Sequence, residues 1–318
     1  MEKLLIRASR LVARRKPMTN CKSILCVLGV ALASTVAAVA AGAPKLTFTF
    51  TKANVPGAMQ TGPSGINNAG VMVGGYVDKN SVSHGYILNG KKLTTLDDPK
   101  GMAGTTGAEN LNPDGAISVV GAYNNSSGNS VGFLYKDGKY TDIPGPTGAV
   151  SSVAVAINDQ GAIVGDYVDT SGRTHGFLLK GKTYTTLDVP AAFGTTAASG
   201  INKAGWIVLW WVDQRGLIES SITKDNGNTY HDIDVPLAAD SYASDVNSAG
   251  DVTYFWVDSA AVGHGALLHA GKYYKFDYPK AIFTYAGGIN DKRTIVGGYQ
   301  AKSKNGHPPL LGFKATYK

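Results

Sequence analysis

AASGINKAGWIVLWWVDQRGLIESSITKDNGNTYHDIDVP, residues 197–236, contains one nearly complete unit of a repeat. It begins with small residues, reaches Ile201-Asn202, and places Gly205 three residues after the Asn. An apolar run from Trp206 to Asp213 follows, and the unit ends at Asp234-Val235-Pro236. The Ile-Asn dipeptide recurs as Ile66-Asn67, Leu111-Asn112, Ile157-Asn158, Val246-Asn247 and Ile289-Asn290, at intervals of 45, 46, 44, 45 and 43 residues. A fixed period of this size denotes a propeller, a solenoid or an array.

The content of each unit decides among them. Small residues precede the Asn, and in five copies a Gly (Gly70, Gly115, Gly161, Gly205, Gly250) follows it, which is turn chemistry. A β-rich segment, a polar loop and a third strand such as Thr174 to Lys180 come next. Gly90, Gly138, Gly181, Gly227 and Gly271, usually followed by Lys, then mark two-residue hairpins into a fourth strand. Four antiparallel strands per unit make one propeller blade. The ends of the array are complementary. An Asp-x-Pro or Asn-x-Pro closes the fourth strand at Pro99, Pro144, Pro190, Pro236 and Pro279, but also at Asn54-Val55-Pro56, ahead of any first strand, and the sixth copy stops without one. The segment Leu46 to Ala53 should therefore supply the fourth strand of the last blade and close a six-bladed ring, removing its free edges. The Ala- and Gly-rich first strands suit the axis and the Pro-ended fourth strands the rim. The Asn turns and Gly-Lys hairpins then share one face, here the turn face. The Asp-x-Pro connections and the loops after strand two share the other, the loop face, where binding is expected because its loops are longer and more variable.

The formal charge of +7 suggests nucleic acid, yet seven of the thirty basic residues lie before residue 41. Without that segment 23 bases face 22 acids, and the nucleic-acid footprint disappears. Residues 1–40 read as a secretory signal: a cationic start, an apolar run from Ile24 to Ala43, and Ala38-Val39-Ala40 ahead of a cleavage before Ala41. Met18 is an alternative start, and an uncleaved membrane anchor is the alternative reading of the apolar run. Both cysteines, Cys21 and Cys26, fall inside this segment, so residues 41–318 are expected to be a secreted or periplasmic propeller without disulfides, spanning no membrane and monomeric.

His84-Gly85-Tyr86, Val131-Gly132-Phe133, His175-Gly176-Phe177 and His264-Gly265-Ala266 occupy one repeat position, preceded by Gly-x-Ile-Val-Gly-x-Tyr as in Gly161 to Tyr167. This combination resembles the HAF-type extracellular repeat family over roughly residues 50–315. The resemblance implies an exported repeat protein, with Gly where the family's His-Ala-Phe tripeptide has Ala. It brings no activity and no catalytic residues.

Asp ends strand two and His follows six residues later in Asp78/His84, Asp169/His175 and Asp258/His264; the other copies have Asn125/Val131, Asp213/Glu219 and Ala301/His307. A hydrogen bond across the hairpin is the expected role, and a metal-binding ring is disfavoured by blade spacing. Departures from the repeat concentrate in blades four and five. Leu209 and Tyr254 replace the mid-strand Gly found elsewhere, and all four Trp lie there. Arg173, Trp211, Asp213, Arg215, Glu219, Tyr242 and His264 form the candidate site, suited to a sugar or acidic ligand if the aromatics are exposed. The expected function is a binding module for carbohydrate or another extracellular polar ligand, a protein included. A polysaccharide hydrolase or lyase using Asp213 and Glu219 is the alternative, and a structural surface protein is a third. HExxH and CxxC do not occur in the sequence. No cofactor is expected, although loops such as Asp78-Lys79-Asn80 offer a few oxygens to Ca2+.

Overall fold

The computed structural model describes residues 46–303 and 308–318, so the expected signal, both cysteines and His307 lie outside the described residues. Within them, 24 strands form six four-stranded antiparallel sheets, and there is no helix of the length and apolarity needed to cross a membrane. Five sheets take their strands in chain order. The sixth joins Ala281–Ile289, Thr294–Ala301 and Leu311–Tyr317 to the first strand, Phe48–Lys52. Phe48 pairs with Tyr317, Phe50 with Ala315 and Lys52 with Phe313. The chain is a six-bladed β-propeller, closed by its N-terminal strand.

The first strands of neighbouring blades touch one another and so line the axis. Ala154, Ala156, Ala197, Ala198, Ala243 and Ala286 keep them thin there and are buried. Each first strand carries a bulge, as between Ala154 and Ala156 or between Ala243 and Asp245, which sharpens its twist near the crowded centre. On the turn face the repeat Asn has two jobs. Its Oδ1 accepts an N–H of its own turn, such as Ala162 N at 3.0 Å from Asn158. Its Nδ2 donates to the carbonyl of the next blade's Asn, from Asn158 to Asn202 at 3.2 Å, Asn202 to Asn247 at 3.0 Å and Asn290 to Asn67 at 2.9 Å. The sequence indicates a turn residue; the clasp between blades follows from ring closure.

Four hairpins are the expected two-residue turns. Gly90 and Gly181 adopt left-handed φ at the first position, whereas Asp137-Gly138 and Ala270-Gly271 do so at both. The fourth copy differs. Between Ile218–Thr223 and the short strand His231–Asp232 the chain makes a longer loop, so Gly227 does not mark a two-residue hairpin. Asp225 builds this loop by accepting from Thr223 Oγ1 (2.9 Å), Thr229 N (2.9 Å) and Thr229 Oγ1 (2.7 Å). An Asp-centred loop was there to be read in Thr223-Lys224-Asp225-Asn226-Gly227.

The replaced glycines are explained by packing across strands. Gly74, Gly121, Gly165 and Gly297 pair with Tyr86, Phe133, Phe177 and Phe313, whereas Leu209 pairs with Ser221 and Tyr254 with Ala266. Large faces small in every blade, and blades four and five have exchanged the two positions. Such swaps conserve core volume.

Candidate functional site

The loop face is built from the ends of strand two, the starts of strand three and the Asp-x-Pro connections. At the end of strand two an Asp turns one oxygen back onto its own loop: Asp169 Oδ1 accepts Ser171 N (2.8 Å) and Arg173 N (2.9 Å). Asp78 does the same with Asn80 N and Val82 N, both at 2.8 Å, which engages an oxygen considered for Ca2+. The second oxygen faces the His six residues on, at 3.2 Å in Asp169–His175 and 3.4 Å in Asp258–His264, widening to 3.8 Å in Asp78–His84. The other ring nitrogen, Nδ1, meets the acid of the Asp-x-Pro: Asp97, Asp188 and Asp277, at 2.9, 2.9 and 3.0 Å. The imidazoles stack on Tyr76, Tyr167 and Trp256, with ring centroids 5.0, 5.1 and 4.6 Å apart. Blades one, three and five thus carry Asp–His–Asp triads. The hairpin bond expected from the sequence is half of the arrangement. The second acid, thirteen residues beyond each His, is hidden in the sequence because it also forms the Asp-x-Pro that ends strand four. With both nitrogens facing carboxylates, these imidazoles brace the loop; among the described residues no group of three or more His, Cys, Asp or Glu is arranged to hold a metal ion.

Burial pulls the His175 pKa down, but hydrogen bonds to Asp188 and Asp169 outweigh it and hold the imidazole above its ordinary value. A raised folded pKa adds stability that is fully present below the unfolded value of about 6.5 and is lost as pH rises through the folded value. Asp169 works at the acid end. The Ser171 hydroxyl and the Arg173 N–H lower its pKa to about 2, so its contribution vanishes as pH falls toward that value. The melting temperature of wild type should therefore exceed that of His175→Gln by more at about pH 5.5 than at about pH 8. An equal gap at both would place the triad outside the stability of blade three.

Where the His is missing, the same acid finds another partner. In blade two, with Val131, Asp142 takes Lys100 Nζ at 2.7 Å and the Tyr123 hydroxyl at 3.3 Å. In blade four Glu219 stands in the His position. Arg215 bridges the acids, its Nε 2.6 Å from Asp213 Oδ2 and its Nη2 3.0 Å from Glu219 Oε1. Burial lifts Asp234 to about 7, against the pull of Ser220 N–H at 2.6 Å and with Glu219 adding to the rise. Asp213 is held below its ordinary value; burial raises it, but the Leu217 N–H and Arg215 prevail. A glycosidase needs an acid and a base separated by about 5 Å or more across a bond. Here one guanidinium ties Asp213 to Glu219, which fits a loop clamp better than that division of labour.

The structure thus brings Asp213, Arg215 and Glu219 together. Arg173 is exposed on the loop of blade three, and His264 belongs to the triad of blade five. Trp211 and Tyr242 do not offer the exposed faces expected of a sugar platform. Trp211 is 7% exposed and donates Nε1–H to Ser221 Oγ at 3.0 Å, while Tyr242, 4% exposed, packs between Trp210 and Phe255. Their place beside the enlarged Leu209 and Tyr254 makes them interblade packing.

Exposed apolar side chains occur instead at a position the sequence reading passed over. Met59, Met102, Val150, Phe193 and Ala239 each donate their N–H to the last residue of strand two, at 2.7–2.8 Å, just where the chain turns into the axial strand. Ile282 holds the corresponding place in blade six. Met59, Met102, Val150, Phe193 and Ile282 are 46, 41, 46, 70 and 42% exposed, so a single repeat position supplies five of the seven exposed large hydrophobics among the described residues. Leu237, beside Ala239, is a sixth. Together they rim the mouth of the axis on the loop face. The axis itself is closed. Asn110 Nδ2 reaches Asp245 Oδ2 at 3.2 Å, joining blades two and five, which stand opposite in a ring of six. Burial raises Asp245 to about 7, against the N–H groups of Ile289 and Val246 and the amide of Asn110. Beyond this bridge, toward the turn face, a cavity of about 20 Å3 is ringed by Ile66, Leu111, Ile157, Ile201, Val246 and Ile289, room for about one water.

No family model matches the sequence, and no curated protein matches it. Among solved structures, the chain is similar to a protein of unknown function from Dyadobacter fermentans, at 12% identity and a TM-score of 0.54, covering 87% of this chain and 100% of that one. It is also similar to TolB from Acinetobacter baumannii, at 8% identity and a TM-score of 0.56, covering 77% and 65%. Trypanosoma rangeli sialidase gives 10% identity and a TM-score of 0.53 over 86% and 59%. At such identities the likeness is one of fold.

Proposed function

We propose that the chain is an exported propeller that works as a binding module, its loop face taking an apolar segment of a protein partner. Export rests on the N-terminal forty residues, and the HAF-type resemblance agrees with it. The observation that carries the binding reading is the rim. Isolated exposed hydrophobics are ordinary on a soluble protein, but exposed ones at one repeat position in five of six blades, with Leu237 beside it in the other, are what interaction sites look like. Met and Phe adapt to a partner's side chains, and the surrounding Asp, His and Arg groups provide a polar border. The Asn110–Asp245 bridge gives this surface a floor.

Carbohydrate remains a second reading, favoured by one observation. Phe193, at 70% exposure, lies on the loop bonded to the Arg173 loop through Thr174 N and Gly194 O at 3.2 Å, so a flat ring stands near a guanidinium. The test is peptide display against residues 46–318, followed by calorimetry of selected peptides and a glycan array in parallel. Selected peptides should be rich in apolar residues and bind Met59→Ser/Phe193→Ser about 30-fold more weakly, the loss of roughly 2 kcal/mol typical of a hot spot. Equal binding to both proteins, or glycans bound with no peptide selected, would overturn the protein-partner reading.

A further inference from the structure

We propose that the turn face docks onto an anionic phospholipid bilayer, leaving the rimmed loop face turned away from it. The net charge of about +1 for residues 41–318 hides a division between faces. Every blade sends an exposed lysine to the turn face: Lys91, Lys139, Lys182, Lys224 and Lys272 from the strand-three hairpins, and Lys292 from the first turn of blade six. The acids of the strand-two ends and of the Asp-x-Pro connections lie on the opposite face. Of the turn-face acids, three are drawn into contacts between blades. Asp114 accepts from Asn68 Nδ2 (3.1 Å), Asp159 from Asp114 N (2.9 Å), and Asp291 from Ser248 N (2.8 Å) and Asn68 Nδ2 (3.0 Å). Asp225 is engaged within its own loop, and Asp137 sits in a hairpin between Lys136 and Lys139. The six lysines are exposed, with Lys224 Nζ 3.7 Å over the centroid of the Trp206 ring.

Geometry selects the partner. Because four of the six lysines come from two-residue hairpins at equivalent places in a closed ring, their charges lie near one level, which fits a flat charged surface. A linear polyanion is better served by a groove. The chain also enters the ring on this face, at Phe48. Each Lys near an anionic leaflet adds about 1 kcal/mol, about fivefold in affinity, and screening salt removes the effect.

The test is cosedimentation of residues 46–318 with vesicles of phosphatidylcholine containing about a third phosphatidylglycerol, against vesicles of phosphatidylcholine alone. Binding should need the anionic lipid, disappear at about 0.5 M salt, and fall about 25-fold in Lys139→Gln/Lys182→Gln. The control, Lys79→Gln/Lys280→Gln, makes the same charge change on the loop face and should bind as wild type does. Equal losses in both variants, or no anionic-vesicle binding, would overturn the proposal. So would retention by soluble polygalacturonate without vesicle binding, since the face would then belong to a polysaccharide. The rim variants used for the loop face should leave vesicle binding unchanged, so the two readings fail separately.

Discussion

Gly165→Ala should lower the melting temperature of residues 46–318 by about 6–12 °C, the equivalent of about 3 kcal/mol for a domain of this size. A Cβ at Gly165 falls 2.0 Å from the carbonyl oxygen of Val153 and 3.0 Å from the Phe177 ring. The near contact is backbone of the bulged axial strand and has no rotamer to move into. Gly161, four residues earlier, provides the control. It has a left-handed φ of +75°, and a Cβ there meets nothing within 4 Å. Gly161→Ala should cost only the backbone strain, about 1 kcal/mol. Equal losses from the two substitutions would refute the reading of Gly165 as a close-approach site. The same approach of an axial carbonyl recurs at Gly74, Gly121 and Gly297, at 2.2, 2.1 and 2.0 Å, whereas blades four and five carry Leu209 and Tyr254 there, opposite Ser221 and Ala266.

Removing the first strand should do more damage still. A chain beginning at Ala53 loses a five-residue ladder, the Phe48–Phe276 contact with ring centroids 4.6 Å apart, and the Phe50 contacts with Phe313 and Tyr278, each at 5.5 Å. Two half-buried Phe and the ladder bonds amount to on the order of 5 kcal/mol. The strand Leu311–Tyr317 then becomes a free edge, so the truncated protein should melt far lower and associate through it. A synthetic peptide of residues 46–54 should restore the melting temperature in a concentration-dependent way, as any ligand of the native state does. A truncated chain that melts like the full ring and stays monomeric would contradict closure by the N-terminal strand.

Architecture was legible in the sequence because propeller turns need particular residues. Asn202 with Gly205, and Asp188 with Pro190, recur since few other residues close those turns, and the misplaced Asn54-Val55-Pro56 exposed the ring closure before any coordinates. Partnerships across strands and blades were less legible. Leu209 and Ser221, twelve positions apart, look like two unrelated losses until they are paired. The clustering of Trp206, Trp210, Trp211 and Trp256 then suggested a ligand platform where there is packing. The triads eluded detection for a similar reason, since His175 and Asp188 meet through the strand-four return. The rim was hidden by chemistry. Met, Val, Phe and Ile serve it interchangeably, and the uneven connections of blades two and three, at Met102 and Val150, blur the spacing.

The most direct measurement is a methyl spectrum of residues 46–318 carrying labelled methionine. Three signals are expected: Met59 and Met102, on the rim at 46 and 41% exposure, and Met72, 4% exposed in the core of blade one, as an internal reference. Titration with a selected apolar peptide should move the Met59 and Met102 signals at one common affinity and leave Met72 in place. A peptide that binds, by calorimetry, while both rim methyls stay still would contradict the assignment of the loop-face rim as the binding surface.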